Sequence, residues 1–141
     1  MKPIYITAED FQVLTQLVET RLRQSGARAP RSLEKLHAEL KRAVILDSSA
    51  LPPEVVSLHS FVRLRDLETG EVESWTLTHP DQADAAKARL SILAPVGTGI
   101  LGFSEGDEVD WETPGGVRRL KIEEVEHRKP IQSDVLTSIL G

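Results

Sequence analysis

At D-S-S-A-L-P-P-E, residues 47–54, the apolar period of the chain changes, and this change constrains the fold more than any other feature. Before it, apolar residues recur every three or four positions, as on one face of a helix. After it they alternate or come in short runs, as in strands. Pro52 and Pro53 end the helical pattern, because proline lacks a backbone N–H and cannot continue a helix. The boundary is therefore placed here, giving an N-terminal unit of residues 1–50, a globular unit of 51–128 and a tail of 129–141 that forms a short helix or stays mobile.

In the first unit, residues 7–47 read as helical. Thr7 suits an N-cap, with Asp10 three positions on, close to a capping box. Phe11, Leu14, Leu17, Val18 and Leu22 then mark one helical face. Gly26 and Pro30 interrupt the pattern, and Pro30 suits the first turn of a second helix. Leu33, Leu36, Leu40 and Ala43 follow with the 3-4-3 spacing of a coiled-coil seam. The expectation is an antiparallel helical hairpin, a short coiled coil of about two heptads per helix. Each helix is too short to stand alone, so two readings stay open: a projecting hairpin, or helices packed on the globular unit.

In the second unit, F-V-R-L-R-D and E-V-E-S-W-T-L flank the hairpin turn L-E-T-G at 67–70. D-E-V-D-W and V-R-R-L-K-I-E-E-V flank T-P-G-G at 113–116, where Pro114 and Gly115 suit a type II turn. Strands joined mainly by hairpins imply an antiparallel sheet, and the fold class is α+β.

Composition narrows the function. With no cysteine, disulfides and thiolate metal sites are excluded. His37, His59, His79 and His127 show no zinc-like spacing and read as surface or partly buried histidines. Residues 1–50 carry 8 Lys and Arg against 6 Asp and Glu, and residues 51–141 carry 9 against 16. An acidic globular unit argues against a nucleic-acid face there. Only six residues are aromatic, so aliphatic side chains must fill most of the core, with some of Phe61, Trp75, Phe103 and Trp111 among them. The opening M-K-P-I-Y-I-T lacks a long apolar run, and the expectation is a cytoplasmic protein without signal peptide or membrane anchor.

G-T-G-I-L-G, residues 97–102, matches the G-x-G-x-x-G pattern of a dinucleotide-binding turn. That reading needs a crossover helix before the next parallel strand. Here the next strand candidate begins near Asp107, and no lysine follows as a P-loop requires. The glycines are read as structural: Pro95 and Gly97 let the chain leave a strand, one helical turn follows, and Gly102 caps it.

Extended, the stretch reads L-S-I-L-A-P-V-G-T-G-I-L-G-F-S-E-G-D-E-V-D-W-E-T-P-G-G. It resembles the C-terminal half of the Gre transcript-cleavage factors, which carry a similar S-P step, a short helix ending in L-x-G, then E-G-D-x-V and T-P-G-G. The closer match is a group of shorter relatives, the regulators of nucleoside diphosphate kinase. It includes L-P-P-E-V-V-S-L-H-S-F-V-R-L-R-D, the A-P-V-G start and W-E-T-P-G-G, up to about residue 128. The resemblance implies an FKBP-like antiparallel sheet domain with a short helix, preceded by the helical hairpin. It also implies a partner, RNA polymerase, bound near its secondary channel in competition with Gre factors.

The family's serine-proline contact carries over as Ala94 and Pro95, so the serine hydroxyl is lost; Val96 and Gly97 are the neighbouring candidates. Pro95 either contacts the partner or merely ends a strand. Gre factors place hairpin-tip carboxylates beside the polymerase's catalytic magnesium, a hard cation that takes oxygen ligands. The tip here, Q-S-G-A-R-A-P-R-S, has no carboxylate, and Arg21, Arg23, Arg28 and Arg31 surround it. Guanidinium cannot ligate a cation, so no transcript cleavage, no metal and no other cofactor are expected. Arg28 and Arg31 either meet acidic polymerase surface or RNA phosphate, or belong to a solvated turn. The alternative from a different class is an FKBP-like peptidyl-prolyl isomerase or an interaction module with another partner. Direct contact with nucleoside diphosphate kinase has no supporting residue, and neither membrane binding, direct nucleic-acid binding nor a small-molecule substrate is expected.

Overall fold

The computed structural model describes residues 3–113 and 115–128. The expected helix or mobile tail at 129–141 and the Pro114 position of the type II turn lie outside them. Strand β1 (Tyr5–Thr7) leads into helix α1 (Ala8–Ser25). Thr7 is the N-cap as expected, its hydroxyl accepting the Asp10 backbone N–H at 3.1 Å. The Asp10 carboxylate does not reach back as in a capping box; it accepts the N–H of Leu58 at 2.9 Å and so ties α1 to the globular unit.

α1 ends where Gly26 takes φ +56, its N–H bonded to the Leu22 carbonyl. A single 3-10 turn (Gly26–Arg28) then leads to α2 (Arg31–Arg42), with Pro30 at the N-cap position and its carbonyl accepting from Leu33 and Glu34. At 1.5 Å per residue the two helices are roughly 27 and 18 Å long. Residues 44–46 depart from the helical expectation. They form strand β2 (Val44–Leu46), which pairs in parallel with β1, and Ala43 stands outside α2. Three extended residues at each foot of the hairpin satisfy one another's backbone groups, which a longer α2 would leave unpaired.

The remaining strands, β3 (Phe61–Asp66), β4 (Val72–Thr78), β5 (Arg89–Ser91), β6 (Glu108–Thr113) and β7 (Gly116–Glu126), form one sheet in the order β5-β4-β3-β7-β6. Both expected hairpins are present, β3–β4 and β6–β7. The antiparallel expectation fails at one edge, where β5 runs parallel to β4. Two 3-10 turns, Pro80–Gln82 and Ala85–Lys87, carry the chain back between them. Helix α3 (Pro95–Ile100) follows β5 and lies over one sheet face.

That face is apolar: Val62 and Leu64 of β3, Leu77 of β4, and Leu120 and Ile122 of β7 are all buried. A bulge opposite Arg63 and Leu64 in the β3–β7 pairing shifts the alternation, so that Val125 also packs against the core. The other face is solvated and carries ion pairs, Arg63 with Glu124 at 3.2 Å and Arg65 with Glu123 at 3.0 Å. This is the usual division of an antiparallel sheet with one wet side.

The hairpin meets the globular unit chiefly through α2, which packs against α3. Leu14, Leu17 and Val18 of α1 and Leu33, Leu36 and Leu40 of α2 belong to the same buried cluster as the sheet residues, Ile100 and Leu101. These six residues are where the hairpin joins the core. The core is aliphatic, and Phe11, Trp75 and Phe103 are only partly buried at its edge.

Candidate functional site

The stretch from Ala94 to Gly102 is positioned by backbone and small residues. Ser91 shapes the approach: its carbonyl accepts from Ala94 N–H at 3.0 Å and its hydroxyl from Leu93 N–H at 3.0 Å. Ala94 occupies the N-cap position of α3 with no side-chain cap, and its carbonyl accepts from Thr98. The Thr98 hydroxyl, buried, donates to the Ile92 carbonyl at 2.7 Å. Pro95, at the first turn, is exposed, whereas Ala94 and Val96 are half-buried.

The glycines have packing roles. Gly97 is buried, and a Cβ there would run into the Ser91 carbonyl and lie 3.1 Å from Leu77 Cδ1. Gly102 takes φ +80, and a Cβ would sit 2.5 Å from that of Ile4. Its N–H is already bonded to the Val56 carbonyl at 3.0 Å. A phosphate-binding turn needs free, outward N–H groups. Here the first and last glycines of the pattern admit Leu77 and Ile4 to the backbone instead. Gly97 thus serves the packing beneath Pro95, the one exposed residue between Ala94 and Gly102, and the half-buried Val96 beside it.

Val96 also lines a groove of about 580 Å³ on the part of the apolar sheet face beyond α3. Its floor is Leu64, Leu90, Val96 and Leu120, its wall is Trp75, and its rim carries Asp66, Glu71, Glu73 and Arg118. The Trp75 indole N–H donates to Glu73 Oε2 at 3.1 Å. Arg118 Nη1 lies 2.9 Å from Asp66 Oδ2, and Asp66 Oδ1 accepts the N–H groups of Glu68 and Thr69 at 2.8 and 3.2 Å. Desolvation opposes the Asp66 charge, but those two N–H groups and Arg118 together outweigh it and hold the carboxyl below its usual range. Reading the sequence alone missed this groove. Its lining comes from β3, β4, β5, α3, β7 and a turn, which only the folded sheet brings together.

The hairpin tip is a separate surface. Arg28 and Arg31 are both exposed, flanking Ala29 and Pro30. Among the described residues, no group of His, Asp or Glu side chains is arranged to hold a metal ion, and no helix is long and apolar enough to cross a membrane. The four histidines are half-buried or exposed. A second concavity gathers Glu9, Asp10, His59, His79 and Asp81 beside α1. There Asp81 N–H donates to His79 Nδ1 at 3.2 Å.

Comparison with known proteins covers nearly all of this architecture. Residues 51–127 match the C-terminal region of the transcription elongation factors GreA and GreB, and residues 2–46 match the Rnk N-terminus. The regulator of nucleoside diphosphate kinase of Escherichia coli K12 is 38% identical over 104 residues, 73% of this chain and 76% of that protein. Transcription elongation factor GreA of Alkaliphilus oremlandii is 34% identical over 90 residues, 64% of this chain and 57% of that protein. Among solved structures, a prokaryotic transcription elongation factor GreA/GreB from Nitrosomonas europaea superposes with a TM-score of 0.74 at 37% identity, covering 90% of this chain and 100% of that one. These relatives are named as a regulator and as elongation factors, not as catalytic enzymes. The chain therefore belongs to the GreA/GreB family of transcription elongation factors, among the Rnk-type members whose N-terminal part it carries.

Proposed function

We propose that this protein is a non-catalytic transcription regulator. It binds RNA polymerase near the secondary channel and competes there with Gre factors without stimulating transcript cleavage. The globular unit makes the anchoring contact through the start of α3, with Pro95 exposed and Val96 beside it. In this reading the Ala94–Pro95 step replaces a serine-proline step, so the contact is shape and apolar surface without a hydroxyl.

The observation that carries the non-catalytic part is the hairpin tip. A cleavage factor must bring carboxylate oxygens to a divalent cation. Between Gln24 and Ser32 this chain has Arg28 and Arg31 and no acidic residue. A guanidinium at that point would be repelled by the metal, and it favours acidic polymerase surface at the channel mouth. The protein would then occupy the entrance and withhold it from a factor that cleaves. Nothing at the site argues for direct contact with nucleoside diphosphate kinase.

The alternative, an FKBP-like isomerase, shares the layout of a short helix over one face of a sheet. An isomerase pocket of that kind is lined by several aromatics. Among the described residues of the groove beside α3, only Trp75 is aromatic, and charged groups form its rim. No turnover of a proline peptide is expected.

The test is a competition experiment with purified core RNA polymerase. Binding that excess Gre factor displaces, together with no stimulated cleavage in a stalled elongation complex, is the expected result. The Arg28→Glu, Arg31→Glu double variant should bind several-fold more weakly at low salt, with the difference shrinking at about 0.5 M salt, where the Debye length falls to a few ångströms. No binding at low salt would overturn the polymerase reading, and stimulated cleavage would overturn the non-catalytic one.

A further inference from the structure

The groove beside α3 has more than the α3 contact needs. Its floor of Leu64, Leu90, Val96 and Leu120 is apolar and its wall is the half-buried Trp75. Its rim holds three carboxylates, Asp66, Glu71 and Glu73, against one guanidinium, Arg118. That guanidinium is engaged by Asp66 at 2.9 Å, with Glu68 a further 4.0 Å contact. Glu71 and Glu73 are exposed and meet no cation among the described residues. An acidic rim around an apolar floor selects against phosphate and for an amphipathic cation. Arginine and lysine fit this description, with an alkyl stem that packs on apolar surface and a charged head that stays at the edge. An aromatic face beside carboxylates adds a cation–π contact. The volume, about 580 Å³, is that of a site for a ligand larger than one side chain.

We infer that this groove is a docking site for a basic turn of a protein partner. It seats an arginine or lysine stem against Trp75 and the Leu64–Leu90–Val96–Leu120 floor, with the cationic head between Glu71 and Glu73. The inference rests on the polymerase reading only for the partner's identity. Val96 belongs both to the groove and to the proposed polymerase contact, so the two surfaces are continuous. A basic turn on polymerase that reached Pro95 would therefore lie at the groove's edge.

The experiment has two arms, both on the full chain. In the first, isotope-labelled protein is titrated with acetyl-Leu-Arg-Leu-Gly-amide and, separately, with acetyl-Leu-Glu-Leu-Gly-amide, followed by NMR. The Trp75 indole N–H, identified by its loss in Trp75→Phe, and the amides of Glu71 to Trp75 should move with the arginine peptide and not with the glutamate one. The Glu71→Gln, Glu73→Gln variant should weaken that response at least threefold. Both substitutions are at exposed positions, and the side-chain amide introduced by Glu73→Gln keeps an acceptor for the indole. Equal shifts with both peptides, or shifts that map away from the groove, would overturn the inference.

In the second arm, Glu71→Lys, Glu73→Lys is compared with the unaltered chain for binding to core RNA polymerase. A loss of about tenfold is expected, the size typical of reversing charges at an interface. If the unaltered chain binds and the variant binds equally, the groove is not a polymerase contact and the placement is overturned. If the unaltered chain does not bind, the polymerase reading fails, and the peptide arm alone decides the groove.

Discussion

Gly102 shows how one residue can set the join between the N-terminal segment and the globular unit. Its φ of +80 is a region that side-chain-bearing residues enter at a cost, and Ile4 lies against the space a Cβ would need. Both effects act together in Gly102→Ala. Left-handed backbone costs an alanine about 1–2 kcal/mol, and overpacking adds about 1–3 kcal/mol. Urea unfolding should show a loss of about 3 kcal/mol with little change in the slope. Gly97 would behave similarly for a different reason, since the Ser91 carbonyl blocks its Cβ while its φ is ordinary. The glycine spacing was legible in the sequence, and the absence of a following crossover helix was enough to set aside a nucleotide. Which atoms the glycines admit was not legible, because Ile4 is remote in the chain.

Between β2 and β3 the chain follows the base of α1 and binds to it through the Asp10–Leu58 hydrogen bond. This segment ends in a titratable residue held in an unusual conformation. His59 has φ +73, and its ring Nδ1 is buried without a partner. Burial first, and the nearby His79 second, push its imidazole below the ordinary value of about 6.5. The fold therefore favours the neutral ring, and the unfolded chain takes up the proton first. Stability from this group is present above about pH 6.5 and is lost as pH falls below that value through the folded pKa. His59→Asn removes the titration and keeps a residue that tolerates positive φ. Its melting temperature should fall less than that of the unaltered chain between pH 7 and pH 5, and an equal fall in both would show that His59 does not carry this dependence. Asp10 shifts the opposite way, raised mainly by burial, and its effect is common to both chains.

Elements of this length also mark the limit of what patterns in the sequence reveal. The eighteen residues of α1 show several turns of helical period, and the six of β3 show alternation. The three-residue strands β1, β2 and β5 carry too few positions for either period to register, and both parallel pairings involve them.

For the whole molecule, the shared core predicts cooperativity. Ile4 and Ile6, Leu14 and Leu17 of α1, Leu33, Leu36 and Leu40 of α2, and the sheet residues Val62, Leu77 and Ile122 are buried in one cluster. Neither the hairpin nor the sheet completes its apolar face alone, so the two should unfold together despite the change of pattern at residues 47–54. Far-UV circular dichroism, dominated by α1 and α2, and the fluorescence of Trp75 and Trp111 on the sheet should give coincident urea transitions. Two separated transitions would show that the hairpin and the sheet are independent folding units.

Sheet order adds a constraint in time. β3 lies at the centre, between β4, which follows it directly, and β7, the last described strand. During synthesis from the N-terminus, the hairpin and the β3–β4 pair can form early, because their contacts are local. The free edge of β3 stays open until the ribosome has released residues 116–126. Over that interval Val62 and Leu64 have a partner strand on one side only, and the exposed edge offers a template for pairing with other chains. The last of the described strands closes the middle of the sheet, so a nascent chain stalled before it carries an unsatisfied centre rather than a frayed margin.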